Sequence, residues 1–189
     1  LNLDLDKFTF LFVGRKVKDK GIEELVQAFK IFQKDTDSQG QLLLVGPFES
    51  GDPISEKTHS DINDDLLITD LGFQDRPEDF MAIADVFCLP SYREGFGTVV
   101  LEAASLGTPS IGTKIVGLED AIVNNVTGLL VKPKSVKELS DAMKYLFINR
   151  EKLCLFGKNG KKRAHKDFGH KLLADKQLES YFNLSESTS

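Results

Sequence analysis

The stretch FTFLFVGRKVKDKGIEELVQAFKIFQK, from Phe8 to Lys34, decides the fold. Its opening, FTFLFVG, is a continuous apolar run closed by glycine, the pattern of a parallel strand buried on both faces. After a charged loop, Ile22, Leu25, Val26, Phe29 and Phe32 recur at helical spacing and form one apolar stripe. A buried strand feeding an amphipathic helix is the unit from which parallel sheets are assembled.

The unit repeats along the chain. QLLLVGP, LLITDLG, DVFCLPS, TPSIGT and GLLVKP read as five more strands. Between them lie a short helix from Ser55, a helix in RPEDFMAIA with Pro77 in its first turn, GTVVLEAASLG ended by Gly107, and the short GLEDAIVN. Beyond Pro133 the pattern is helical: SVKELSDAMKYLFIN, REKLCLFGKNGKKRAHKDF and HKLLADKQLESYF, with Ser135 and Glu138 spaced as a capping box. The expected fold is α/β: a Rossmann-like, doubly wound parallel sheet of about six strands, with helices on both faces and a helical C-terminal segment. Residues 1–189 are expected to form a single domain. The start LNLDLDKFTF has no methionine and runs almost at once into a strand, which suggests a piece of a longer protein.

Bulk properties narrow the function. The chain has 189 residues, 41% apolar and 28% charged, as in ordinary globular proteins. A net charge of -5 argues against nucleic-acid binding, which needs a basic footprint. No apolar stretch is long enough to span a membrane and no signal peptide is visible, so a cytoplasmic location is expected. Cys88 and Cys154 are far apart, lack metal spacing and read as small buried hydrophobes. His59, His165 and His170 form no constellation with an acid or nucleophile, and His165 and His170 read as part of a solvated basic face. The acids of DINDD, Asp61 to Asp65, lack the spacing of a calcium loop, and no metal is expected.

Ligands of doubly wound sheets bind at the carboxyl ends of the strands, which directs attention to three loops. In VGRKVKDKG, Arg15 and Lys20 are placed to hold a phosphate, with Lys16 and Lys18 adding positive potential; four solvated charges in a surface loop are the competing reading. In SYREGFGTVVLEAASLG, Gly95 and Gly97 permit close approach of a ligand, and the helix starting near Thr98 offers unpaired N–H groups to an anion. Glu94 and Glu102 beside such a site suit hydroxyl groups, because a carboxylate accepts from two adjacent hydroxyls. Otherwise Glu94 is a loop charge and Glu102 an acid favoured by the helix dipole. In GFQDRPEDF, Phe73 and Gln74 can present backbone groups to a base edge and Arg76 can stack on a ring, while Asp75 can pair with Arg76 or cap the next helix.

FVGR with KG beginning five residues after the arginine, the long run from Gly72 to Thr113, and NNVTGLLVKP together resemble the C-terminal, donor-binding domain of the family 4 retaining glycosyltransferases, which have the GT-B fold. The resemblance runs from about Phe8 to the final helices, and its most specific element is the glutamate pair set in EGFG…LEA. It implies that Arg15 and Lys20 hold the diphosphate of a nucleotide-sugar and neutralise the departing nucleoside diphosphate. It further implies that Glu94 binds sugar hydroxyls, that the N–H groups of Gly95, Phe96, Gly97, Thr98 and Val99 line sugar and phosphate, that Glu102 grips the ribose, and that Phe73 and Arg76 flank the base.

On the same grounds no cofactor or metal is expected, and the donor is a UDP-sugar ahead of GDP-mannose. The partners implied are the N-terminal GT-B domain, missing here, and a sugar or lipid-linked acceptor. The reaction would serve bacterial surface polysaccharide or lipid-linked glycan synthesis, with any contact at the inner face of the cell membrane made by the intact enzyme. The isolated chain is expected to bind donor without transferring sugar. The alternatives are a domain like that of the GT-B UDP-N-acetylglucosamine epimerases, which lack the paired glutamates, and a non-enzymatic interaction module in which the nucleotide-binding loops are retained only as scaffold.

Overall fold

The computed structural model describes residues 6–168. The expected helix HKLLADKQLESYF and His170 lie outside the described residues. Six parallel strands, β1 (Phe8–Val13), β2 (Gly40–Val45), β3 (Ile68–Gly72), β4 (Val86–Leu89), β5 (Ser110–Thr113) and β6 (Gly128–Val131), form one sheet in the order β3-β2-β1-β4-β5-β6. The helices are α1 (Ile22–Asp35), α2 (Glu56–Asp64), α3 (Pro77–Ile83), α4 (Thr98–Leu106), α5 (Leu118–Ala121), α6 (Val136–Ile148) and α7 (Arg150–Asp167). α1 packs on α6 and α2 on one face, while α4 packs on α7 and α3 on the other. This is the doubly wound sheet expected from the sequence.

Burial explains which runs became which strands. β2, β4 and β5 are buried at every position, and β1 at all but its last residue. β3 and β6 are less buried than their apolar sequences suggest, because each is an edge of the sheet. Leu66, read as the start of the third strand, is instead 97% exposed in the turn before Ile68.

The stripe on α1 docks where predicted: Ile22, Leu25, Val26, Phe29 and Phe32 are fully buried. Phe32 lies edge-on to Phe10 at 4.9 Å and to Phe147 at 5.3 Å between ring centroids, which locks α1 and α6 onto β1. Such offset aromatic contacts add to the area they bury.

Three local expectations need correction. Ser135 accepts the Glu138 N–H at the start of α6, but the Glu138 carboxylate turns back to the Lys132 N–H at 2.8 Å and leaves the capping box half made. Cys88 is buried in β4, whereas Cys154 is exposed because it falls on the outer side of α7. Arg76, not Asp75, is the residue that precedes α3, and its guanidinium pairs with Asp79 at 2.9 Å and Glu78 at 3.4 Å.

Replacing Phe32 with Ala should cost about 3–5 kcal/mol of unfolding free energy, the usual range for a fully enclosed aromatic. Urea unfolding followed by circular dichroism measures it; a loss under about 1 kcal/mol would mean that the aromatic cluster does not anchor α1.

Candidate donor-binding cleft

The sheet reverses its strand order between β1 and β4, and the loops leaving these two strands diverge there. A cleft of about 270 Å³ opens at that point, lined by Val13, Gly14, Arg15, Lys20, Leu89, Glu94 and Val99. It joins the ends of β1 and β4 to the start of α4 and brings together Arg15, Lys20 and Glu94. Larger hollows elsewhere, such as the one bordered by Lys7, Lys30, Asp61 and Leu66, sit away from these loops.

Each side chain is placed by a local device. Lys20 ends a 3-10 turn, Lys18–Lys20, and is followed by Gly21 in the left-handed conformation (φ 70°). A Cβ on Gly21 would fall 2.2 Å from the Pro90 carbonyl oxygen, so only glycine lets this turn lie against the end of β4. Lys20 Nζ then donates to Glu94 Oε1 at 2.6 Å, with both side chains largely buried. Ser91, fully buried, donates to the same oxygen at 2.8 Å. The loop carrying Glu94 and Gly95 rests on Gly117, where a Cβ would come within 2.7 Å of both their carbonyl oxygens.

Arg15 follows β1, is about half exposed and pairs with Glu49 at 2.8 Å, a contact that raises its pKa above the ordinary value. α4 begins at Thr98 with no side-chain cap, so its first N–H groups face outward without intrahelical acceptors. Gly95 has open space around it, as close approach of a ligand requires, while the Phe96 ring turns away to pack on Phe168 at 5.5 Å. Gly97 takes the left-handed conformation (φ 64°) just before the helix.

Phe73, Arg76 and Glu102 are not among the residues lining the cleft. Phe73 is 72% exposed, and Arg76 is engaged with the acids of α3. Glu102 lies one turn into α4 on its exposed side, outside the residues lining the cleft. Partial burial, reinforced by the Glu78 carboxylate, raises its pKa. Glu78 pairs with Arg76 at 3.4 Å and repels the Glu102 carboxylate.

Lys16 requires a correction. Instead of adding to the surface potential, it is 1% exposed, bonded to Asp70 and set over the Phe48 ring at 4.1 Å. Burial lowers its pKa, with Asp70 opposing the shift. The competing reading of four solvated charges thus fails for Lys16 and Lys20, while Arg15 and Lys18 are exposed. Sequence reasoning also missed Ser91, Glu49 and Asp70. Only Ser91 carried a local signal, a hydroxyl residue three positions before a carboxylate at the end of a buried strand. Among the described residues, no group of three or more His, Cys, Asp or Glu is placed to hold a metal ion, and no helix is long and apolar enough to cross a membrane.

Comparison with known proteins points the same way. A sequence model of the family described as "Glycosyl transferases group 1" matches residues 1–163. The chain is 36% identical over 182 residues to the capsular polysaccharide biosynthesis glycosyltransferase CapM of Staphylococcus aureus, covering 94% of this chain and 46% of that protein. Sucrose-phosphate synthase from Thermosynechococcus elongatus superposes with a TM-score of 0.85 at 31% identity, over 98% of this chain and 47% of the other. HepE of Anabaena, solved in complex with UDP and glucose, shares the fold with a TM-score of 0.82 at 23% identity, over 95% of this chain and 49% of that one. The chain thus spans about half the length of each of these three proteins.

Lys16→Met should cost about 1–3 kcal/mol of stability, because it removes the cation paired with the Asp70 carboxylate and leaves that group only the Gly72 N–H. Inorganic pyrophosphate affinity, measured by calorimetric titration, should stay within about twofold. A large loss of affinity with unchanged stability would return Lys16 to the ligand site.

Proposed function

The chain belongs to the group 1 glycosyl transferases, and from that premise we propose that it is the donor-binding half of a retaining, nucleotide-sugar-dependent GT-B enzyme. The observation that carries the reading is the cleft itself: two cations and an uncapped helix N-terminus converge on one side of a fixed carboxylate. Phosphates require the first set of groups and sugar hydroxyls the second.

In this reading the bond between the anomeric carbon and the diphosphate oxygen breaks as the sugar leaves for the acceptor. Negative charge grows on the diphosphate, and Arg15, Lys20 and the N–H groups of α4 stabilise it. These fixed groups supply the stabilisation without a resident metal or cofactor. Glu94 orients the sugar through its hydroxyls, and Glu102 reaches the ribose from α4, with Phe73 and Arg76 beside the base. UDP is favoured as the nucleotide, in keeping with the UDP held by HepE. Surface polysaccharide or lipid-linked glycan synthesis is the favoured setting, in keeping with the role stated for CapM.

A second Rossmann-like domain, N-terminal to this one, would supply the acceptor side and close the cleft. The proposed division of labour leaves this chain binding donor without transferring sugar. A cytoplasmic site of action, with membrane contact made by the intact enzyme, belongs to the same proposal. The epimerase-like alternative is disfavoured because that class lacks the glutamate pair that Glu94 and Glu102 form here.

Titrating UDP against the 189-residue chain tests the reading. Arg15→Ala should weaken UDP about tenfold and leave uridine nearly unchanged, since a charge-assisted phosphate contact is lost. Equal losses would remove Arg15 from the phosphate. Glu102→Ala should weaken UDP by a similar factor and spare its 2′,3′-dideoxy analogue; matched losses on the two would remove Glu102 from the ribose. Absence of any UDP or GDP binding at millimolar concentration would favour a non-enzymatic module.

A further inference from the structure

We propose that Ser91 is a positioning residue that keeps the Glu94 carboxylate aimed at the donor sugar when the diphosphate draws Lys20 toward itself. The inference rests on the donor-site reading above. Glu94 Oε1 receives two hydrogen bonds, one from Lys20 Nζ at 2.6 Å and one from Ser91 Oγ at 2.8 Å. Glu94 Oε2 takes no hydrogen bond from any described residue, which leaves it available to accept from a sugar hydroxyl.

The two donors differ in kind. Lys20 is a charge on a flexible stem, attracted by any polyanion that enters the cleft, and the diphosphate is such a polyanion. Its hold on Glu94 weakens when the donor arrives. Ser91 is neutral and short, so a diphosphate exerts little pull on it. It is also anchored: its side chain is fully buried, and its backbone carbonyl accepts the hydroxyl of Thr113 from β5. A chain of contacts thus runs from the sheet through Thr113 and Ser91 to one oxygen of Glu94.

Without the Ser91 hydroxyl, Glu94 would regain rotamer freedom as Lys20 moved, and ordering it again would oppose sugar binding. The contribution should therefore appear in affinity for the hexose half of the donor and not for the nucleotide half. A residue that merely stabilised the fold would affect both halves alike.

Calorimetric titrations of the chain with UDP and UDP-glucose, or with GDP and GDP-mannose if that pair binds tighter, separate these cases. Ser91→Ala should weaken the sugar nucleotide about five- to tenfold, roughly the net worth of one ordinary hydrogen bond, and leave the nucleoside diphosphate within twofold. Ser91→Cys keeps the shape of the side chain with a larger terminal atom, offers only a weak donor, and should show the same selective loss. In a Glu94→Ala background, Ser91→Ala should have no further effect on either ligand. Equal losses on both ligands, no loss on either, or a further loss in the Glu94→Ala background would overturn the role of Ser91 while leaving the donor site intact. A wild-type chain that bound neither UDP nor GDP would overturn the donor-site reading, and this inference with it.

Discussion

The junction between β1 and β4 is the constraint on which the rest of the molecule depends. β1 pairs with β2 along its whole length but meets β4 only at Phe10–Val86 and Leu11–Phe87. The connections turn opposite ways on either side of that contact, so the loops leaving β1 and β4 cannot pack against each other and a cleft remains. Both strands are almost wholly buried, and neither can shift register without exposing apolar side chains. The cleft is therefore held in shape by the core beneath it.

Charge is distributed across this cleft by burial as much as by residue type. Lys16 and Lys20 lie four positions apart in one loop, yet they do different work. Lys16 turns under the sheet to meet Asp70, where it is a structural pair, and Lys20 turns over the end of β4 to meet Glu94. Arg15, between them in role, stays at the surface with Glu49. Each cation already has a carboxylate partner, so a phosphate entering the cleft would exchange partners with fixed groups instead of meeting bare charge. Such exchange limits the cost of holding like-signed groups together and keeps Arg15 and Lys20 near their working positions.

The Glu94 loop shows how a flexible segment is made rigid without regular structure. Gly117 supports its carbonyls from below, Ser91 and Lys20 hold its carboxylate, and Phe96 is fastened to Phe168 at the end of α7. The supports come from four different parts of the chain. The proposed catalytic geometry is accordingly a property of the assembled domain and of no single motif.

The residue pattern alone determined the alternation of buried strands and amphipathic helices, and it pointed to the strand-to-helix loops that carry Arg15, Lys20 and Glu94. Hydrophobic periodicity is a local quantity, and a buried strand or a helical stripe such as Ile22 to Phe32 announces itself within a dozen residues. The tertiary structure decided which strands became edges, that Lys16 is buried and Cys154 is not, and that Lys20 joins Ser91 on one oxygen of Glu94. These outcomes depend on residues brought together across the sheet, such as Lys16 with Asp70 and Lys20 with Glu94. The partner of each of these two lysines is set by packing between elements distant in sequence, and no local pattern in the chain encodes it.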